Sequence, residues 1–433
     1  MFRKYLFILV LFLQACNNPM DTKIGHEKSI EVIIHEYLML ELSMGIHHQD
    51  HVDAYFGPKD IKELAAQKNL SINQIHERAK LLSKQIRILP SNPLMPVQRI
   101  RNLQARLLAL TTRIKIYTGE SIPFDQETQA LFSVVAPYNE VEYFNTILAK
   151  IDKLIPGDEE LSIRVNKFKQ RFIIQPQYLE TVFNAAIEEC RRRTLRYIEL
   201  PSNEKFTIEY VQDKPWSGYN WYQGSSHSII QINTDLPIMI NRAVDLGCHE
   251  GYPGHHTYNS LIETNLVQQK NWLEYTLYPL YGPQSLIAEG SANYGIQLAF
   301  LDQERMEFEK NILFNLAKLN TKDADRYYQL LALQGKLNYA GNEAARRYLD
   351  NEFSRDQAID WLIKYTLTSK ESAKKSTKFY DTYRSYVINY NLGKDIVKKY
   401  IETNTNTDDI RWKKFEQLLS EPMLPIDLNN PEQ

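Results

Sequence analysis

Apolar residues recur at three- and four-residue spacing through Ile30 to Met44, Ile72 to Ile88, Val97 to Tyr117, Val141 to Leu154, Tyr178 to Tyr197 and Phe308 to Leu319. That is the period of a helix with one buried face. Between these stretches lie residues that stop helices: Pro90-Ser91-Asn92-Pro93, Gly119, Ile155-Pro156-Gly157-Asp158 and Pro201-Ser202-Asn203. No internal repeat of about 20 to 50 residues is apparent, which disfavours a solenoid. One segment has another period. Phe206 to Val211 and Ser228 to Thr234 alternate and are rich in β-branched residues, with Pro215 to Asn220 between them. They predict a small antiparallel sheet at about residues 205–235, inserted into a fold that is otherwise mainly α.

The first residues break the pattern. Met1-Phe2-Arg3-Lys4 is basic, Tyr5 to Leu13 is apolar, and Gln14-Ala15-Cys16 follows. The apolar run is far shorter than the roughly 20 residues of a membrane span and reads as an export signal. Leu13-Gln14-Ala15-Cys16 is similar to a lipobox, although Gln14 replaces the usual small or hydroxylic residue. The expectation is a signal peptide over residues 1–15, lipid attachment at Cys16, a polar tether over 16–28 and one helical domain over 29–433. Such a chain is a cell-envelope lipoprotein, membrane-anchored through its lipid, on the periplasm-facing outer membrane or the cell surface.

Composition narrows the partners. The 433 residues are 43% hydrophobic, enough for a core without staples, and 51 Lys+Arg stand against 53 Asp+Glu. Balanced charge without a basic block excludes the electrostatic footprint of nucleic-acid binding. Cys190 and Cys248 sit in apolar helical settings and read as free or buried thiols, not as a disulfide framework.

The candidate chemistry begins at His249-Glu250-Gly251-Tyr252-Pro253-Gly254-His255-His256. Imidazoles that hold a metal, with a carboxylate beside them to take a proton from water, are what a zinc hydrolase needs. The familiar second ligand, four residues after His249, is here Pro253. On an unbroken helix His249 and His256 would lie about 10.5 Å apart along the axis, too far for one ion. Both can bind only if the chain bends, and Pro253-Gly254 is where it can. A further ligand is expected from Ala288-Glu289-Gly290-Ser291-Ala292, where small residues let two helices approach. A packing stripe with a solvated Glu289 fits the same residues. His47 and His51, one helical turn apart, read as a polar helix end.

His249 to His256, followed by Glu289-Gly290-Ser291-Ala292, resembles the bacterial domain of unknown function 885 family, whose members carry His-Glu-x-x-Pro-Gly-His-His and a later Glu-Gly-x-Ala. Met44 to Gly57, Pro215 to Pro237 and Tyr383 to Gly393 are similar as well, so the likeness spans most of the chain. It implies a zincin-like helical metallopeptidase fold, with the site at about 245–295. It further implies that His249, Glu289 and His255 or His256 hold zinc and that Glu250 is the general base. In that reading Asp245 can orient His249, and Tyr219, Asn220, Trp221 and Asn233 line a cleft in which a strand edge pairs with a peptide substrate. Phe379, Tyr383, Tyr386 and Tyr390 form a stripe on a late helix, more often core than site. Tyr386 would stabilise the oxyanion and Arg384 would clasp a substrate carboxylate. The expected activity is zinc-dependent peptide hydrolysis, carboxypeptidase- or dipeptidase-like. The alternatives are a metal-dependent hydrolase of a non-peptide amide or ester, and a non-catalytic envelope lipoprotein whose metal shapes a binding surface.

Overall fold

The computed structural model describes residues 19–429; the expected export signal and the Cys16 lipid site lie outside them. Most of the described chain is helical. The apolar periods fall on the helices Pro19–His47, Ile72–Arg87, Val97–Tyr117, Val141–Leu154 and Leu179–Thr194. Phe308 to Leu319 is less regular, with the helix Asp302–Phe308 passing through a π-turn, Glu309–Leu313, into one short further turn. The start of Ile72–Arg87 shows why such boundaries are legible. The Gln74 N–H donates to the Ser71 hydroxyl and the Ser71 N–H to the Gln74 side chain, which satisfies two donors that the helix leaves free. No described helix is long and apolar enough to cross a membrane.

The described strands are β1 (Val52–Tyr55), β2 (Lys205–Val211), β3 (Gly218–Gly224), β4 (His227–Asn233) and β5 (Leu277–Pro279). The two strands expected from the sequence are neighbours, β2 and β4, but they run parallel. The antiparallel pairing comes from β3, which returns to β4 through Ser225 and Ser226. Residues 212–217 carry the chain past the end of β4 to its far edge, giving the order β2-β4-β3. β3 is therefore an edge strand.

Apolar burial falls into two clusters. Ile34, Leu38, Ile75, Leu82 and Leu107 form one among the first helices, and Leu277 of β5 joins it. The antiparallel pair β1–β5 links that cluster to the larger one around Phe183, Ile230, Val244, Leu286 and Phe415. Cys190 and Cys248 are joined by a disulfide, which corrects their reading as free thiols. They lie 58 apart in sequence, and only the packing of Leu179–Thr194 against the turn around Cys248 brings their Cα atoms to 5.5 Å.

Candidate metal centre

The helix Asn241–Leu246 continues into a π-turn, Gly247–Gly251, that carries His249 and Glu250. π-turns insert an extra residue into a helix and re-aim its side chains, and they recur at functional sites. The helix ends there, the Tyr252–Pro253 peptide bond is cis, and a new helix, His255–Ile262, begins. The chain thus bends at Pro253-Gly254 as expected. The Gly254 N–H donates to the Cys248 carbonyl at 3.0 Å. A Cβ on Gly254 would stand 1.8 Å from the His249 carbonyl oxygen, so no side chain fits. The bend brings the imidazoles of His249 and His255 to a centroid separation of 4.7 Å, nearly perpendicular at 88°.

Glu289 reaches them from the buried helix Pro283–Ala299. That helix crosses Ile388–Glu402 backbone to backbone: a Cβ on Gly290 would meet the Gly393 carbonyl carbon at 2.4 Å. The small residues around Glu289 therefore serve a close crossing, and Glu289 is buried rather than solvated. Its Oε1 accepts from the Tyr386 hydroxyl at 2.8 Å. Its Oε2 lies 3.1 Å from His249 Nε2 and 3.7 Å from His255 Nε2. That buried oxygen takes part in no hydrogen bond. One ligand atom from each of the three residues falls within 4.8 Å of the others. Donors about 2.0–2.1 Å from one tetrahedral zinc sit roughly 3.3 Å apart. Two imidazole nitrogens and a carboxylate oxygen suit zinc in donor type, and the 3.1 and 3.7 Å separations from Glu289 bracket the tetrahedral value.

The electrostatics follow from burial and proximity. Burial alone would raise the Glu289 carboxyl, but the charge of His255 and the closeness of His249 hold it well below the usual carboxylate range. Burial would lower His255, and the neighbouring Glu289 charge overrides it, raising the imidazole to about 9. Glu250 is pushed upward, chiefly by burial, against the lowering influence of the two imidazoles. Its carboxylate lines the cavity beside His249. Asn220 secures the backbone behind it, donating to the Glu250 carbonyl at 2.6 Å.

Several expected site residues lie elsewhere. His256 faces away from the cluster, with Nδ1 at 2.8 Å from the Ser228 hydroxyl and Nε2 at 3.0 Å from Glu204. It follows His255 on a helix, so when one ring points to the centre the next is rotated about 100° away. Arg384 does not line the cavity; its guanidinium is paired with buried Glu127 at 2.7 Å. The aromatic stripe is not one helix: Lys370–Tyr383 ends at Arg384, whose φ is +52°, and Ile388–Glu402 follows a short 3₁₀ turn. Phe379, Tyr383, Tyr386 and Tyr390 nevertheless all line the cavity. The Tyr386 hydroxyl is engaged by Glu289, which makes it a positioning group for a ligand rather than a free donor.

Tyr219 lines the cavity and donates to Asp53 at 2.7 Å. Trp221 is 48% exposed and does not line the cavity. Asn233 ties down a loop, donating to the Lys214 and Trp216 carbonyls at 2.9 and 2.7 Å. Asp245 accepts from Asn241 and Arg305, so it belongs to a salt-bridged network and does not orient His249. His47 bonds the Leu70 carbonyl at 2.7 Å from the last turn of its helix, whereas His51 lies beyond the helix end in a buried pair with Glu41 at 2.5 Å, which corrects its reading as part of a polar helix end.

The cavity has a volume of about 750 Å³. It is also lined by Asp53, Arg242, Tyr278 and Lys375, none singled out by the sequence. Arg242 had a signal in its spacing, seven residues before His249 and so on the same helical face. Asp53 sat in the histidine-rich segment. Nothing in the chain near Lys375 marks it.

No protein-family model and no curated protein matches the sequence. Among solved structures, the chain is similar to "the putative lipoprotein from Colwellia psychrerythraea", with a TM-score of 0.52 and 14% identity over 85% of this chain and 71% of that one. It also aligns with a structure described as "BsuCP Crystal Structure", with a TM-score of 0.48 and 11% identity over 94% of this chain and 95% of that one. The first likeness establishes a shared mainly helical fold.

Proposed function

We propose that this chain is an exported, lipid-anchored zinc hydrolase of peptide bonds. The observation that carries the reading is the buried Glu289 Oε2, without a hydrogen bond, facing His249 and His255 at the floor of a cavity into which Glu250 also turns. His249, His255 and Glu289 would hold the ion, whose part is to make water nucleophilic at neutral pH and to polarise a carbonyl. Glu250, raised by burial, takes the proton from the attacking water and returns it to the leaving amine. Tyr386 keeps Glu289 turned to the imidazoles. The edge strand β3 offers Gly218, Tyr219 and Asn220 along the cavity, where an extended peptide can pair with its main chain.

The resemblance of His249 to His256 and Glu289 to Ala292 to the domain of unknown function 885 family supports the same chemistry. The Cys190–Cys248 disulfide supports export, since such bonds persist in oxidising compartments. Zinc content and peptide-library hydrolysis test the reading together. Glu289→Ala should lose zinc and activity, while Glu250→Gln should keep stoichiometric zinc and lose turnover by about 10²–10⁴-fold. Full zinc in Glu289→Ala, or full activity in Glu250→Gln, would overturn it.

A further inference from the structure

The cavity is lined by charges of both signs. Asp50, Asp53, Asp245, Glu250 and Glu289 line it, and Arg242 and Lys375 are the Arg and Lys residues among its lining. Neither cation is fully matched. Arg242 lies 3.4 Å from Asp245 Oδ2, an oxygen that already accepts from Asn241 at 2.9 Å, while Oδ1 is taken by Arg305 at 2.8 Å. Lys375 reaches Asp235 only at 3.5 Å. The two come from unrelated elements, Arg242 from the helix leading into His249 and Lys375 from Lys370–Tyr383.

Resting on the peptidase reading, we propose that Arg242 and Lys375 form a carboxylate subsite that receives the C-terminal carboxylate of a short peptide. Seven helical residues separate Arg242 from His249, a rise of about 10.5 Å. An extended chain covers that distance in about three residues at roughly 3.4 Å each. In this proposal a peptide whose scissile carbonyl lies at His249, His255 and Glu289 directs its terminal carboxylate, about three residues further on, towards Arg242 and Lys375. The guanidinium gives directional paired donors and the ammonium a mobile charge. This replaces Arg384, which its pairing with Glu127 removes from the cavity.

The test reads binding rather than turnover. Three N-acetylated tetrapeptides are titrated calorimetrically into the full chain stripped of metal, and again into zinc-loaded Glu250→Gln. One has a free terminal carboxylate, the second is its C-terminal amide, and the third is an amide with aspartate as its last residue. The free acid should bind about tenfold more tightly than either amide, as a charged hydrogen bond predicts. Arg242→Ala and Lys375→Gln should each reduce that preference, with Arg242→Lys retaining part of it. Equal affinity for acid and amide in the wild-type chain overturns the subsite, as does an unchanged preference in both variants. Equal affinity for the free acid and the aspartyl amide assigns the cations to acidic side chains and overturns the C-terminal assignment. Failure of the peptidase reading is separate: the zinc-loaded wild-type chain would bind the free acid selectively and leave it intact.

Discussion

Glu204 lies behind the candidate centre, and its replacement by Gln gives a calculable effect. Burial alone would raise its carboxyl, but hydrogen bonds from His256 at 3.0 Å, Tyr252, and Arg191 at 2.6 Å outweigh burial and pull it from 4.5 to about 2. The Glu204 side chain is 5% exposed but that of Arg191 is 37% exposed, so solvent screening reduces the contribution. A carboxyl depressed on folding stabilises the protein above its unfolded value and loses that contribution as pH falls through the folded one. At roughly 1.4 kcal/mol per pH unit, ionised Glu204 contributes at most about 3 kcal/mol at neutral pH. With an unfolding entropy of about 2.1 cal/mol/K per residue over 433 residues, that is at most about 3 °C in Tm. Calorimetric melts of wild type and Glu204→Gln, in EDTA so that loss of metal at low pH does not enter, should differ by that amount at pH 7. The gap should hold down to about pH 5, fall below half by pH 3 and close towards pH 2. Equal melting at pH 7, or a gap still undiminished at pH 3, would refute the assignment.

Gly290→Ala must push a pair of crossing helix backbones about 1 Å further from each other and should cost at least the roughly 1–3 kcal/mol of ordinary overpacking, weakening zinc binding with it. Gly335→Ala, where nothing lies within 4 Å of the added Cβ, is the matched control in the same melting and metal-binding assays. Replacing Cys190 and Cys248 together by Ala releases a bridge spanning 58 residues, which chain entropy values at about 4 kcal/mol; urea unfolding of the two proteins measures it. Tyr386→Phe should lower zinc affinity about 10–100-fold through loss of the bond to Glu289, with little change in Tm; competition with a fluorescent chelator reads this directly.

Helix positions were legible because their signals are local: periodic apolar faces, and stops such as Pro156-Gly157 that act within a few residues. His249, Glu250 and the bend at Pro253-Gly254 were legible for the same reason, since the steric demands of proline and glycine are written in adjacent residues. Other features depend on distant packing. Whether His255 or His256 faces Glu289 is decided by where the second helix restarts, and the parallel pairing of β2 with β4 by a loop that crosses a strand end. Arg384 was misplaced because its partner, Glu127, comes from a helix more than 250 residues earlier. The disulfide was missed because cysteine spacing does not say which elements touch.

The groups that aim Glu289 come late. Tyr386 follows it by 97 residues, and the Gly393 backbone against which its helix rests comes later still. A growing chain therefore displays His249, His255 and Glu289 while the elements that fix their spacing are still unmade. The three residues proposed to hold a metal reach their final spacing only when the helix Ile388–Glu402 docks.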